Sequence, residues 1–189
     1  MKNEYKFPLK NEGNIRNPKL VILLNNPGGS CEHVEWLPEY TMNLEGKYKD
    51  SGIKIKDFCK YSQWWHNLIE PIIKQTDFKY NDICGLEFYP YHTKQSNKIP
   101  KQEEWNAYAK KCKKDNIKLL KKFIKQNAFI FGYYYGAWEG DEDIQKDNTI
   151  QNLNKYAKYH KSIYRFPAAK RKELLNFVKK KKSKTGSAK

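Results

Sequence analysis

The chain has 189 residues, a formal net charge of +16 and an aromatic content of 15%. These values are typical of one folded domain with a basic surface, and they exclude a disordered chain. The sequence has no apolar run of about 18 residues, which excludes a membrane-spanning helix, and its start lacks the apolar core of a secretory signal. Its four cysteines form no CxxC pair, which argues against a compact zinc site. We therefore expect a cytoplasmic protein with reduced thiols and without a metal or cofactor.

The first predicted element is a strand at residues 19–25. Its apolar run is long enough for a strand that is buried on both faces of a parallel sheet. The run ends in Asn25-Asn26-Pro27-Gly28-Gly29, a turn that would place polar groups at the carboxyl edge of an α/β sheet, where ligands bind. The same residue types favour turns for local backbone reasons, so this segment alone indicates a site and an ordinary turn equally.

A long polar connection at residues 32–62 follows, and connections of this length usually carry function or contain short helices. Residues 61–75 have apolar positions at helical spacing, with Ser62 as a candidate cap and Trp65 as a core residue. Residues 83–89 form the second predicted strand, which runs into a polar, ring-rich segment, Pro90-Tyr91-His92.

The second half of the chain continues the alternation of helices and strands. The expected elements are an amphipathic helix with a lysine-rich face at 101–126, a strand at 128–131, an acidic solvated loop at 139–147, a strand at 162–166 and a basic helix to residue 178. This order predicts a three-layer α/β sandwich with a central, mainly parallel, four-stranded sheet. We expect one domain at residues 1–178, with Cys84 and Cys112 in its core, and a disordered basic tail at 179–189.

The positive charge is spread along the chain rather than confined to its end. Residues 168–189 contain nine Lys and Arg and one Glu, so about half of the net charge belongs to the body of the protein. Cations hold phosphates, and the faces of the 14 Tyr and 5 Trp rings can stack on bases. The composition therefore favours nucleic acid as the partner, although AT-rich coding also produces lysine-rich chains.

Asn26-Pro27-Gly28, at the exit of a buried first strand, resembles the first motif of the uracil-DNA glycosylase superfamily, and most closely that of its mismatch-specific branch. The order of the predicted elements over residues 18–178 is also similar to that family. Two positions depart from its pattern. Leu24 stands where the family usually has Gly, and Arg165-Phe166-Pro167 stands where its last motif begins His-Pro-Ser. The family's catalytic histidine has no counterpart here, and the clustered cysteines of its iron–sulfur branch are absent.

The resemblance implies a uracil-DNA-glycosylase-like fold and a DNA glycosylase activity. Such an enzyme, here expected as a monomer, flips a nucleotide out of duplex DNA, or takes one from a single strand, and hydrolyses its N-glycosidic bond. Asn26 would orient the attacking water, because an amide cannot act as a strong general base. If a carboxylate assists, the candidates are Glu35, Glu32 and Glu87.

The same layout implies roles for residues at the strand exits and in the last loop. Tyr91 or Tyr89 would stack on the flipped base, and His92 would bind the base edge or help the base depart. The other candidates are Asn25, Gly28, Gly29 and Glu87 for the base pocket, Arg165, Lys170 and Arg171 for phosphates, and Tyr133-Tyr134-Tyr135 for stacking or core packing. The departures from the family's motifs indicate a target other than plain uracil, such as a bulky modified base, in repair or in defence against phage DNA.

Two other functions stay open at this point. The missing histidine favours a non-catalytic nucleic-acid-binding protein on the same fold. An α/β enzyme acting on a phosphorylated small molecule would instead use the turn at residues 27–30 to bind an anion. No P-loop with a following Lys is present, and the net charge fits the two nucleic-acid functions better.

Overall fold

The computed structural model of the chain describes residues 11–26, 54–91, 99–146, 149–156 and 158–185. Its strands are β1 (Asn11–Gly13), β2 (Leu20–Leu24), β3 (Ile83–Glu87), β4 (Phe129–Gly132) and β5 (Tyr159–Lys161). Its helices are α1 (Ile55–Tyr61), α2 (Gln63–Gln75), α3 (Ala107–Lys125), α4 (Gly136–Glu139), α5 (Glu142–Lys146), α6 (Thr149–Lys155) and α7 (Pro167–Thr185). Short 3₁₀ turns span Tyr80–Asp82 and Gln102–Glu104.

The described strands form one sheet in the order β1-β3-β2-β4-β5. Strand β2 pairs in parallel with β3 on one side, where Leu20 is opposite Ile83, and with β4 on the other, where Leu20 is opposite Phe129. Strand β5 is parallel to β4, and β1 is antiparallel to β3. The prediction of an α/β fold with four parallel strands is confirmed, and β1 adds a fifth, antiparallel strand at one edge.

Helices cover both faces of the sheet, because each face of the central strand is apolar. Leu20, Ile22 and Leu24 pack with residues of α1, α2 and α7, whereas Val21 and Leu23 pack with residues of α3 to α6. Successive side chains of a strand point to opposite faces, so one run of five apolar residues supplies both cores. Trp65, which is 5% exposed, lies in the first core as predicted, and Cys84 and Cys112 are also buried.

The least accurate predictions concern residues after 138. Residues 162–166 do not form the predicted strand, which instead is Tyr159–Lys161. The acidic segment predicted as a solvated loop at 139–147 contains α5 and the last residue of α4. Helix α7 continues through Thr185, so the predicted tail is helical up to that residue. Lysine and serine do not break a helix, which is why a charged run alone does not indicate disorder.

Within the described ranges, no helix is both long enough and apolar enough to cross a membrane. The long polar connection contains α1 in its described part. The predicted helix at 101–126 begins later than expected, at Ala107, because the Asn106 side chain accepts a hydrogen bond from the backbone N–H of Ala109 at 2.8 Å and caps the helix there.

Candidate functional site

The order of the parallel strands places the point where the direction of chain progression reverses between the carboxyl ends of β2 and β4. From β2 the chain passes through α1 and α2 to β3 on one side, and from β3 it returns across β2 to β4 on the other. Ligands of open α/β sheets bind at such a point, outside the carboxyl ends of the strands. The residues that leave β2 and β4 here are Asn25 and Asn26 on one side and Tyr133-Tyr134-Tyr135 on the other.

Backbone hydrogen bonds hold the exits of β2 and β3 side by side. The N–H of Phe88 donates to the carbonyl of Leu24 at 2.9 Å, and the N–H of Tyr89 donates to the carbonyl of Asn25 at 2.8 Å. The Asn25 side-chain oxygen also accepts from the backbone N–H of Ala137 at 3.3 Å. Asn26 is next in the chain and is 5% exposed. These hydrogen bonds place Asn25 beside Tyr89, and Asn26 follows directly in the chain.

Glu87 and the two predicted stacking tyrosines lie on opposite faces of the sheet. Glu87 is opposite Leu24 in the parallel register, so its side chain is on the α2 and α7 face, where it is 2% exposed. Tyr89 and Tyr91 belong to the core on the α3 face. These three candidates therefore do not share one pocket.

Tyr89 and Tyr91 form a ring cluster at the start of α3. Tyr89 is 7% exposed, and its ring centroid is 4.8 Å from that of Trp105 and 5.5 Å from that of Tyr91. The hydroxyl oxygen of Tyr91 accepts a hydrogen bond from the Asn106 side chain at 2.8 Å. Tyr89 is thus engaged in core packing, while half-buried Tyr91 keeps its stacking role as a prediction.

A cluster of rings and cations lies at the exit of β4 on the α2 and α7 face. The Lys170 ammonium donates to the backbone carbonyl of Tyr133 at 2.8 Å and lies 3.8 Å from the centroid of the Tyr134 ring. Lys170 is 6% exposed, and burial lowers the pKa of its ammonium while Glu173 opposes that shift. The prediction of Lys170 as an ordinary surface cation for phosphate is corrected, because its ammonium is directed to this cluster rather than to the outer surface.

Tyr133 anchors the same cluster from the core. It is 1% exposed, its ring centroid is 5.3 Å from that of Trp64, and its hydroxyl donates to the backbone carbonyl of Pro167 at 3.5 Å. Burial raises the pKa of Tyr133 to about 12, so the hydroxyl stays protonated at neutral pH. Tyr133 and Tyr135 are buried, whereas Tyr134 is half-buried. Each of the three rings lies near a lysine ammonium, and the shortest of these distances is the 3.8 Å from Lys170 to the centroid of the Tyr134 ring.

The loop before α7 exposes large apolar side chains next to a cation. Ile163 is 79% exposed, Tyr164 48% and Phe166 78%, and Arg165 between them is exposed. Exposed apolar side chains grouped in this way are typical of surfaces that bind a partner. The loop leads directly into the turn of α7 that supplies Lys170 and Arg171, so it belongs to the same edge of the sheet.

A separate open cavity of about 590 Å³ lies on the α3 face, between Phe88, Trp105 and the start of α5. Its lining is acidic, with Glu103, Asp141, Glu142 and Asp143. Beside it, Lys113 is 3% exposed and its ammonium lies 2.9 Å from carboxylate oxygens of both Asp141 and Asp143. This is a structural ion-pair network, and its charge is opposite in sign to that of the Lys170 cluster.

Glu32, Glu35, His92, Gly28 and Gly29 lie outside the described residues, so their predicted roles stay predictions. The sequence missed the contact of Lys170 with Tyr133 and Tyr134, although both segments were candidates for other reasons. Comparisons of the chain with protein-family models, with curated proteins and with solved structures found no match. The resemblance to the glycosylase superfamily therefore stays an expectation from the Asn26-Pro27-Gly28 motif and the order of the predicted elements.

Proposed function

We propose that this protein is a DNA glycosylase-like enzyme that extrudes a base, most favourably a modified one, and hydrolyses its N-glycosidic bond. The observation that carries the proposal is the composition of one edge of the sheet. Polar side chains at the exits of β2 and β3, a ring and cation cluster at the exit of β4 and an exposed apolar loop all lie at the carboxyl edge. An extruded base needs a stacking surface, polar partners and a neighbouring phosphate-binding surface.

In the proposed reaction, Asn26 and Lys170 at this edge have different roles. Water, oriented by the Asn26 amide, attacks the sugar carbon as the carbon–nitrogen bond breaks and the base leaves with the bonding electrons. The departing base takes up a proton, and the water becomes the new hydroxyl of the sugar. Lys170 would stabilise the negative charge that develops on the base, because a fixed cation in a partly dry site acts strongly on such charge.

Tyr134 and Trp64 are the rings best placed to stack on the extruded base in this proposal. Both are half-buried and pack against the core on the α2 and α7 face, so each can present ring surface without leaving the fold. Glu87, buried on the same face, is the described carboxylate that would position the base or the water. This assignment replaces Tyr89 and leaves Tyr91 to contact a neighbouring nucleotide.

The exposed loop supplies a means of opening a duplex. Apolar side chains that insert between base pairs unstack them, and the energy is recovered from a larger contact with the protein. Ile163 and Phe166 suit this role because their side chains are almost free of contacts with the rest of the fold. Arg165 lies where it would meet the adjacent phosphate.

The proposal is tested by searching for a released base. The purified protein is incubated with duplex and single-stranded oligonucleotides that carry altered bases, and with phage DNA that contains modified bases. Mass spectrometry then identifies any free base, and strand cleavage with alkali locates the abasic site. Release of a base by the wild-type protein, lost in the Asn26→Ala variant, supports the proposal. Tight DNA binding without any release would instead favour the non-catalytic binding protein.

Replacing Phe166 with serine is expected to impair activity on duplex DNA selectively. The side chain is 78% exposed, so the melting temperature should change by less than a degree or two, in line with about 0.5 kcal/mol or less. Base release from a duplex should fall roughly tenfold, because insertion between base pairs is lost. Release from a single strand should be nearly unchanged, since no stack has to be opened. Equal losses on both substrates would contradict the insertion of Phe166 between base pairs. Phe166→Leu, which keeps an apolar side chain, is the matched control.

A further inference from the structure

Helix α3 carries a continuous stripe of positive charge that the proposed catalytic site does not use. Seven of its lysines share one side of the helix: Lys110, Lys111, Lys114, Lys118, Lys121, Lys122 and Lys125. At about 100° per residue they fall within an arc of roughly 120°. Six are exposed and Lys121 is half-buried, whereas the opposite side of the helix packs in the core. We name these seven residues the lysine stripe.

On an ordinary solvated helix face, a lysine has an acidic residue four positions away, whereas the lysines of the stripe have other lysines at that spacing. Lys74 in α2 and Lys146 in α5 each pair with a glutamate four residues earlier, at 3.7 and 3.2 Å. In α3, Lys110, Lys114, Lys118 and Lys122 are instead four residues apart from one another, and like charges at this spacing destabilise a helix. Asp115 is the one acidic residue in the helix. An arrangement that weakens its own helix indicates a partner that neutralises it.

We propose that the lysine stripe is a second nucleic-acid-binding surface, which contacts the phosphates of a strand that leaves the catalytic edge. From Lys110 to Lys125 the stripe is about 22 Å long at 1.5 Å per residue. This length matches about six phosphates of one strand, which are 3.4 Å apart along the duplex axis. The stripe begins beside the ring cluster at the exit of β3, since the Asn106 cap of α3 hydrogen bonds with Tyr91.

An anionic membrane is the other polyanion that could attract lysines. Membrane-surface helices bury an exposed apolar face among the lipid chains. The apolar face of α3 is already buried in the protein, where Ala109, Leu120 and Phe123 are fully covered. The stripe therefore presents positive charge without an exposed apolar face that could enter a membrane. This arrangement fits contact with the phosphates on the outside of a nucleic acid.

The test measures binding to a 30-base-pair duplex and a 30-nucleotide single strand by fluorescence anisotropy across a range of KCl concentrations. The stripe variant replaces Lys110, Lys114 and Lys118 with Gln. The control variant replaces Lys54, Lys56 and Lys79, exposed lysines around a small cavity elsewhere, with Gln, so both lose the same charge. We expect the stripe variant to bind about ten- to a hundredfold more weakly, with a salt slope that is shallower by up to ~0.9 per lost contact. The control should bind nearly as the wild type does.

Three outcomes would overturn the inference: unchanged binding by the stripe variant, equal weakening in both variants, or loss of binding to phosphatidylserine vesicles with nucleic-acid binding intact. Melting temperatures separate these results from misfolding, because removal of like charges should leave the stripe variant as stable as the wild type or more stable. Replacement of the same three lysines with Arg should retain binding. The readout does not depend on base release, so it stands even if the proposed chemistry fails.

Discussion

Replacing Asn26 with alanine is expected to slow base release roughly a hundredfold or more, because the attacking water loses the group that orients it. The rate is measured under single-turnover conditions, on whichever substrate the wild-type protein cleaves and well below the melting temperature of both proteins. Asn26 is 5% exposed, so the variant should also lose about 1–3 kcal/mol of stability if a buried partner is left unsatisfied. The loss of activity must therefore be separated from the loss of stability.

Thr76→Ala provides a control of similar stability that is remote from the site. The Thr76 hydroxyl donates to the carbonyl of Ile72 at 2.7 Å and accepts from the N–H of Phe78 at 3.2 Å, at the far end of α2. Its loss should cost about 1 kcal/mol and leave base release within a factor of two or three. If both variants lose activity to the same degree, Asn26 has no special part in the reaction and its resemblance to the family motif is accidental.

Replacing Lys113 with methionine is expected to lower the free energy of unfolding by about 3–5 kcal/mol, because it leaves the Asp141 carboxylate buried without its counter-ion. Asp141 is 2% exposed, and one of its oxygens also accepts from the Gln102 side chain at 2.6 Å. In a chain of this size the melting temperature should fall by about 10 °C. Lys114→Met, one residue along and exposed, should change it little. A Lys113→Met, Asp141→Leu double variant should recover much of the loss, since apolar pairs often replace buried ion pairs at small cost.

The alkaline limit of this stabilisation follows from the pKa of Lys113. Burial alone would lower it, but the hydrogen bonds and charges of Asp141 and Asp143 raise it above the ordinary value of 10.5. A raised folded-state pKa makes the contribution complete below 10.5 and removes it as the pH rises through the folded value. The stability gap between wild type and Lys113→Met should therefore narrow in strongly alkaline solution. A gap that stays constant there would mean that packing, not charge, is what the lysine supplies.

The sequence predicted the centre of the fold better than its margins, for a physical reason. The runs Leu20–Leu24 and Ile83–Glu87 are buried through their whole length, so their composition alone marks them as parallel strands. Strands β1 and β5 have three residues each and are held by pairing rather than by their own apolar content. Ile163 and Phe166 gave the pattern of a strand but are exposed, and no local pattern distinguishes an exposed apolar loop from a buried edge.

The candidate site, like the fold, could be predicted only where a local sequence pattern specifies it. The strand exits were predictable because a buried apolar run that ends in amides and glycines must place them at a sheet edge. The contact between Lys170 and the rings of Tyr133 and Tyr134 was not, because it joins two segments whose distance in the fold the sequence does not encode locally. Lys113 could have been found: it lies four residues from both Ala109 and Ile117, on the apolar side of α3, where a lysine requires a buried partner.

The short strand β1 has a consequence for the behaviour of the protein in concentrated solution. Strand β3 is buried along its whole length, and in the described part of the chain β1 covers one of its edges. An uncovered edge of this kind is a template for pairing between chains and hence for aggregation. Gly13 lies at the end of β1 and has a φ of +77°. A Cβ at this position would come within 2.3 Å of the carbonyl oxygen of Ile83, so the pairing of β1 with β3 requires glycine here. A Gly13→Ala substitution is therefore expected to displace β1 and to leave this edge of β3 open to pairing with strands of other chains.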